Sequence, residues 1–185
     1  GIVGIAAISS LSDDGYNDNV PPVITVNGSN PATVELGATY SDAGATAFDE
    51  YHGSTSVSSS SNVDTSAVGS YTVTYTATDL DGNTATASRT VNVVDTTAPV
   101  VTLTGDNPVT VELGATYTDA GATATDVSGT VEVVTDGTVD TDTVGEYTLT
   151  YTSTDASGNV SESVTRTVNV TDTVSPVFTS SSTFT

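Results

Sequence analysis

Apolar and polar residues alternate along most of this chain. In YTVTYTATD, from Tyr71 to Asp79, the residues Tyr71, Val73, Tyr75 and Ala77 stand between threonines, and Tyr147, Leu149, Tyr151 and Ser153 repeat the arrangement. A period of two predicts strands with one face on a core and the other in water. Threonine suits the wet face, because its branched β-carbon favours the pleat while its hydroxyl stays hydrated. Strands are predicted over 23–26, 33–36, 45–48, 71–78 and 86–94, with turns at Asn27-Gly28 and Asp81-Gly82. The serine run after Val57 reads as a flexible loop, and no useful length of chain shows helical spacing.

The pattern occurs twice. VELGATYSDAGATA, beginning at Val34, recurs as VELGATYTDAGATA at Val111, an offset of 77 that also links Pro22 to Pro99, Arg89 to Arg166 and Asp95 to Asp172. Tyr71 and Tyr147 are 76 apart, so one short loop differs in length. Solenoid repeats run to about 20–50 residues, so this longer period predicts two self-contained domains, each with its own core.

Several short strands with turns at short intervals predict an antiparallel sandwich or barrel. Gly69-Ser70-Tyr71-Thr72-Val73 and Gly145-Glu146-Tyr147-Thr148-Leu149 read G-x-Y-x-apolar, the start of the penultimate strand of an immunoglobulin domain, with Val73 and Leu149 in the second-cysteine position. On that reading Tyr71 and Tyr147 are tyrosine corners, largely buried. The alternative is that they are ordinary strand aromatics.

The segments PPVITVNGSNPATVELGATYSDAGATAFD and YTVTYTATDLDGNTATASRTVNV, each present in two versions, make residues 21–173 resemble the bacterial immunoglobulin-like domains of surface proteins and their hyalin-repeat relatives. The resemblance implies an all-β chain of two tandem immunoglobulin-like β-sandwich domains, 21–96 and 97–173. It also implies a place in a multi-domain cell-surface or secreted protein, where such modules act as spacers or adhesive units, and it carries over no catalytic residue. Residues 1–20 then form an apolar leader and acidic linker, and 174–185 the start of a following domain or a truncated tail. The apolar stretch Gly1–Leu11 is too short to span a bilayer, which takes about twenty residues as a helix. It reads as the tail of a removed signal peptide, as a docking strand, or as an internal piece of a longer chain; it also resembles the segment before the first such repeat in very large adhesins exported by type I secretion.

Charge removes whole classes of function. The chain carries 23 acidic side chains against two arginines, with no lysine, one histidine and no cysteine, for a formal net charge of −21. Such a polyanion repels nucleic-acid phosphate and anionic lipid heads, so neither nucleic acid nor membrane insertion is expected, and cations are the natural partners. Without cysteine there is no disulfide framework and no thiol nucleophile. The paired carboxylates of glycoside hydrolysis are the only catalytic chemistry the composition permits, and aspartates that recur in both copies fit a repeated structural task better.

Those aspartates fall at particular places. D-x-x-x-P occurs at Asp18, Asp95 and Asp172, so an aspartate and a stiff proline segment open each copy. In an immunoglobulin-like sandwich the entering chain lies at the end that carries the second-to-third strand loop and the final hairpin loop. Asp18 should then meet Asp49, Glu50, Asp79, Asp81 and Asn83, and Asp95 should meet Asp126, Asp155 and Asn159. Converging carboxylates repel one another unless protonated or bridged by a cation. Oxygen ligands on loops favour Ca²⁺ over the strict octahedron of Mg²⁺, although no EF-hand loop is present. The competing account is turn chemistry, together with the acidic surfaces common in salt-rich habitats.

His52, in FDEYHG, reads as a solvated loop residue, and Arg89 and Arg166 as surface or half-buried ion pairs. The sequons at Asn27, Asn159 and Asn169 are expected by chance in so serine- and threonine-rich a chain. The function expected is that of non-catalytic spacer modules in a large bacterial adhesin, with Ca²⁺ stiffening the junctions. Their partners are neighbouring domains of the same chain and, beyond them, a host or surface glycan or protein. The alternatives are a filament subunit that assembles by strand addition, and a glycan- or protein-binding module using Asp49, Glu50 and Tyr51 in the most divergent loop.

Overall fold

The computed structural model describes residues 18–178; the readings placed on the leader and on the last residues of the tail lie outside them. The described residues are all-β and fall into two compact units divided between Val94 and Asp95, so that Asp95 belongs with the second.

In the first unit, β1 (Val23–Val26), β3 (Ala45–Asp49) and β4 (Gly53–Thr55) form one antiparallel sheet in the order β1-β3-β4. β2 (Ala32–Glu35), β5 (Val57–Ser61), β6 (Gly69–Thr78) and β7 (Thr84–Val94) form the other, in the order β2-β7-β6-β5, with β2 parallel to β7 and the other pairs antiparallel. The second unit repeats this. A sheet β11-β10-β8 is built from β8 (Val100–Leu103), β10 (Ala122–Asp126) and β11 (Gly129–Val131). A sheet β12-β13-β14-β9 is built from β9 (Val109–Glu112), β12 (Val133–Asp136), β13 (Gly145–Ser153) and β14 (Val164–Thr171), with β9 parallel to β14.

Alternation decides which residues are inside. Val73, Tyr75 and Ala77 on β6 and Val91 and Val93 on β7 are buried, while the intervening threonines of β6 face outward. Residues from both sheets share each core: Ile24, Val26 and Ala45 pack on Val73, Tyr75 and Val91 in the first unit, and Val101 and Ala124 join Leu149 and Tyr151 in the second.

Two expectations change. The serine run forms β5, an edge strand paired along its length with β6. An edge strand needs only its backbone hydrogen bonds and a few inward side chains, and Val57 supplies one against the core. Tyr71 and Tyr147 are half-buried, whereas Tyr75 and Tyr151, at 1% and 0% exposed, are the ring residues of the cores. Tyr71 and Tyr147 begin their strands at the sheet end, where each hydroxyl donates to a carbonyl four residues back, Ala67 O and Thr143 O, both at 2.9 Å. That bond is the mark of a tyrosine corner.

Candidate functional site

The alternation that fills the cores continues past their apolar residues. Val73, Tyr75, Ala77 and Asp79 lie on one inward row, as do Leu149, Tyr151, Ser153 and Asp155, and all of them are buried. Ala47 and Asp49 at the end of β3, and Ala124 and Asp126 at the end of β10, do the same with Asp126 half-buried. Strand parity therefore turns aspartates inward at the end of each unit where its chain enters.

There they meet the entry aspartates. Asp18, Asp49, His52 and Asp79 each offer a ligand atom, all within 4.8 Å of one another, and Asp95, Asp126 and Asp155 do likewise in the second unit. Glu50, placed in this group on sequence, is exposed beside Asp49 and outside the cluster. The hairpin between β6 and β7 fixes the first set. Asp79 Oδ1 accepts from the amides of Asp81 and Asn83 at 3.0 and 2.8 Å, and Asn83 Nδ2 bridges Asp79 Oδ2 and the carbonyl of Asp18 at 2.8 and 2.9 Å. In the second unit Asn159 Nδ2 bridges Asp155 Oδ2 and the carbonyl of Asp95 at 2.7 and 3.0 Å. Asn83 and Asn159 thus pin the entering backbone to the hairpin by their amide nitrogens, and Asp81 accepts from the Asp18 amide at 3.0 Å. Asp172 makes the local turn of the other entry residues, accepting from Val174 N at 3.2 Å, and is exposed.

These hydrogen bonds hold negative charge in place. Burial pushes Asp79 and Asp155 upward, but donors from Asn83 and Asn159 outweigh it and hold both carboxyls below the usual aspartate range. The Ser128 hydroxyl and amide lower Asp126 in the same way. Several oxygens nevertheless lack a donor: Asp18 Oδ2, Asp49 Oδ2 and Asp126 Oδ2 are buried without a hydrogen-bond partner, in residues that for Asp18 and Asp49 are 5% and 1% exposed. A buried charge without a partner is costly, and a cation among these oxygens would supply one.

His52 is not solvated. Its side chain is 11% exposed, with Nδ1 at 3.2 Å from Asp49 Oδ1 and 3.7 Å from Asp18 Oδ2, and Nε2 at 3.7 Å from Asp81 Oδ2. The turn between β3 and β4 folds back because the Asp49 carboxylate accepts from the amides of Tyr51 and His52 at 2.9 and 2.7 Å, which carries the ring inward.

Of the two readings of the arginines the half-buried pair holds and the surface pair does not, since Asp42 and Asp119 are about a quarter exposed while the guanidinium groups are inside. Arg89 and Arg166 are 2% and 0% exposed, on the inward rows of β7 and β14. Arg89 Nη1 donates to Asp42 at 2.5 Å and Arg166 Nη1 to Asp119, while carbonyls of Asn27 and Gly44, or of Thr104 and Gly121, take the other nitrogen. Tyr75 and Tyr151 also donate to Asp42 and Asp119. The sequence held a signal for this, because Arg89 shares the parity of Val91 and Val93, and Asp42 and Asp119 keep the repeat offset of 77.

The model of the bacterial surface protein, Ig-like domain family matches residues 24–93 and again 101–170. The chain belongs to that family. Among curated proteins it is similar to hyalin of the sea urchin Strongylocentrotus purpuratus, at 38% identity over 88% of this chain and 15% of hyalin. Hyalin of Lytechinus variegatus is 39% identical over 90% of this chain and 34% of that protein. The serine-rich adhesin for platelets of Staphylococcus aureus strain MRSA252 is 40% identical over 50% of this chain and 8% of the adhesin. A lipoprotein of Bacteroides thetaiotaomicron of known structure is 28% identical over 42% of this chain and 40% of that one, with a TM-score of 0.38. The chain therefore spans a small part of the relatives it matches. As surface Ig-like modules, these domains are non-catalytic and lie outside the cell or on its surface. Among the described residues no helix is long and apolar enough to cross a membrane.

Proposed function

We propose that the two surface Ig-like modules are closed β-sandwich spacers that extend a longer adhesin, and that a divalent cation, Ca²⁺ in the all-oxygen case, stiffens each at its entry. One observation carries the reading: in both units one aspartate of the cluster comes from the entering segment and the others from hairpins of the same unit. A cation held by Asp95, Asp126 and Asp155 would fasten the linker to the module it enters, with carbonyls and water completing six to eight oxygen contacts. Proline at Pro22 and Pro99 stiffens the same segments independently.

Small-angle scattering of the whole chain tests it. At matched ionic strength, millimolar Ca²⁺ is expected to give a more extended and narrower distribution of distances than chelator. Identical curves would leave proline as the only source of stiffness and remove the cation from the function.

A binding role draws support from Val23 and Phe48, which pair across β1 and β3 and are 70% and 60% exposed. The second copy has Thr125 at the Phe48 position. A glycan array with Phe48→Thr as control tests that reading.

A further inference from the structure

We propose that the cluster of the first unit is a mixed nitrogen and oxygen site for a zinc-class divalent ion, with His52 as a ligand beside Asp18, Asp49 and Asp79, whereas the second unit keeps an all-oxygen site for calcium. The inference rests on the reading that these clusters hold cations and assigns each its own ion class.

The imidazole stands inside the set. Its Nδ1 lies 3.2, 3.7 and 4.0 Å from oxygens of Asp49, Asp18 and Asp79. In a tetrahedral zinc site with bonds of about 2.0–2.1 Å, neighbouring ligand atoms are about 3.3 Å apart. An ion placed among these four residues would need only small side-chain shifts to reach them all. It would also give a partner to Asp18 Oδ2 and Asp49 Oδ2, the buried oxygens that accept no hydrogen bond.

The surroundings orient the ring for this task. A metal-bound histidine usually turns its other nitrogen to a carboxylate, which sets the tautomer, and Nε2 faces Asp81 Oδ2 at 3.7 Å. Asp81 is itself held by the Asp18 amide. The Tyr51 ring packs edge-on against the imidazole at 5.0 Å.

The second copy lacks each of these parts. From Asp49 to Asp126 the offset is 77 and from Gly53 to Gly129 it is 76, so the second hairpin is one residue shorter and has no histidine. Ser157 stands where Asp81 does, and its hydroxyl turns to Asp95. Imidazole with carboxylate suits zinc and its transition-metal neighbours, while carboxylate, carbonyl and water suit calcium.

The chain has one histidine, so its ring signals in a nitrogen-15 spectrum need no assignment. Zinc chloride added to the whole chain at neutral pH should shift the Nδ1 resonance and saturate at one ion per chain. About a hundredfold excess of Ca²⁺ should leave that shift in place. Asp49→Asn and His52→Gln, checked for fold by their amide spectra, should each weaken zinc binding about tenfold or more. Neither should change the response of amides around Asp126 and Asp155 to Ca²⁺. A ring unmoved by stoichiometric zinc would overturn the proposal and leave His52 as a hydrogen-bonded neighbour of Asp49. A shift as strong in Asp49→Asn would overturn it too, as adventitious binding to an imidazole. The calcium reading fails separately: if zinc binds at His52 but Ca²⁺ moves nothing near Asp126 and Asp155, the second cluster holds no calcium while the first site stands.

Discussion

The Arg166 guanidinium and the Tyr151 hydroxyl stand 3.2 Å apart inside the second unit, and both donate to Asp119. The guanidinium also lies 5.6 Å from the Tyr151 ring centre, and Arg89 repeats the contact on Tyr75 at 5.9 Å. Each module thus carries one buried cation tied to an aspartate, a core tyrosine and backbone carbonyls.

Removing that cation should be among the most damaging single changes. Arg166→Ala leaves Asp119 without its counter-charge and the Thr104 carbonyl without the guanidinium donor, for an expected loss of about 3–5 kcal/mol. Urea unfolding with an unchanged slope measures it. A loss under about 1 kcal/mol would mean the pair behaves like an exposed one.

The same network predicts alkaline weakness. Burial first, then the hydrogen bond to Asp42 or Asp119, pushes Tyr75 and Tyr151 up to about 12, with Arg89 or Arg166 opposing. Tyr40 faces the first and Tyr117 the second. A folded pKa above the unfolded value adds stability that is complete below about 10 and is lost as pH rises toward about 12. Melts across that range should fall steeply, with Tyr75 and Tyr151, and Tyr117 beside Tyr151, ionising late among the eight tyrosines by tyrosinate absorbance. Tyr151→Phe should flatten the second module's decline.

Acid acts through the partners. Burial raises Asp42 and Asp119, but the tyrosine hydroxyls and the arginine hold both below the ordinary range. Their contribution is present above the unfolded value of about 3.9 and is lost as pH falls through the folded one. Asp119→Asn should therefore lower stability at neutral pH and shrink the acid-dependent part of the unfolding curve.

The two core tyrosines and the two corner tyrosines should separate by mutation. Tyr151→Ala empties a fully buried position and should cost about 3–5 kcal/mol. Tyr147→Phe removes only the hydroxyl bond to Thr143 O and should cost about 0.5–1.5 kcal/mol. A loss from Tyr147→Ala as large as that from Tyr151→Ala would place the Tyr147 ring in the core after all.

Cation binding should appear as ligand-linked stability. If Ca²⁺ binds only the folded second unit, a concentration about a hundred times Kd adds about 2.7 kcal/mol. Melts in chelator and in Ca²⁺, with sodium chloride matched, should differ for the native chain but not for Asp126→Asn combined with Asp155→Asn. Equal melts for the native chain would mean the carboxylates respond to general screening alone.

Two modules of strands, their inward rows and the convergence of Asp18, Asp49 and Asp79, or Asp95, Asp126 and Asp155, were readable from sequence. A period of two and a repeat offset are properties of the chain itself, and strand parity carries an inward aspartate as surely as an inward valine. The rest depended on which strands became neighbours. Ser58–Ser61 looked like a loop because serine has little strand preference of its own, and only pairing with β6 supplies the backbone bonds that make it β5. Sequence left Arg89 and Arg166 between a surface and a half-buried ion pair, and only Asp42 or Asp119 with a ring of carbonyls from other strands made burial of the guanidinium tolerable. His52 sits in a turn whose composition is that of a solvated loop. Its place among four carboxylates follows from the fold of that turn and from where the entering chain and the β6–β7 hairpin lie, and contacts between segments far apart in sequence arise only when the sheets assemble.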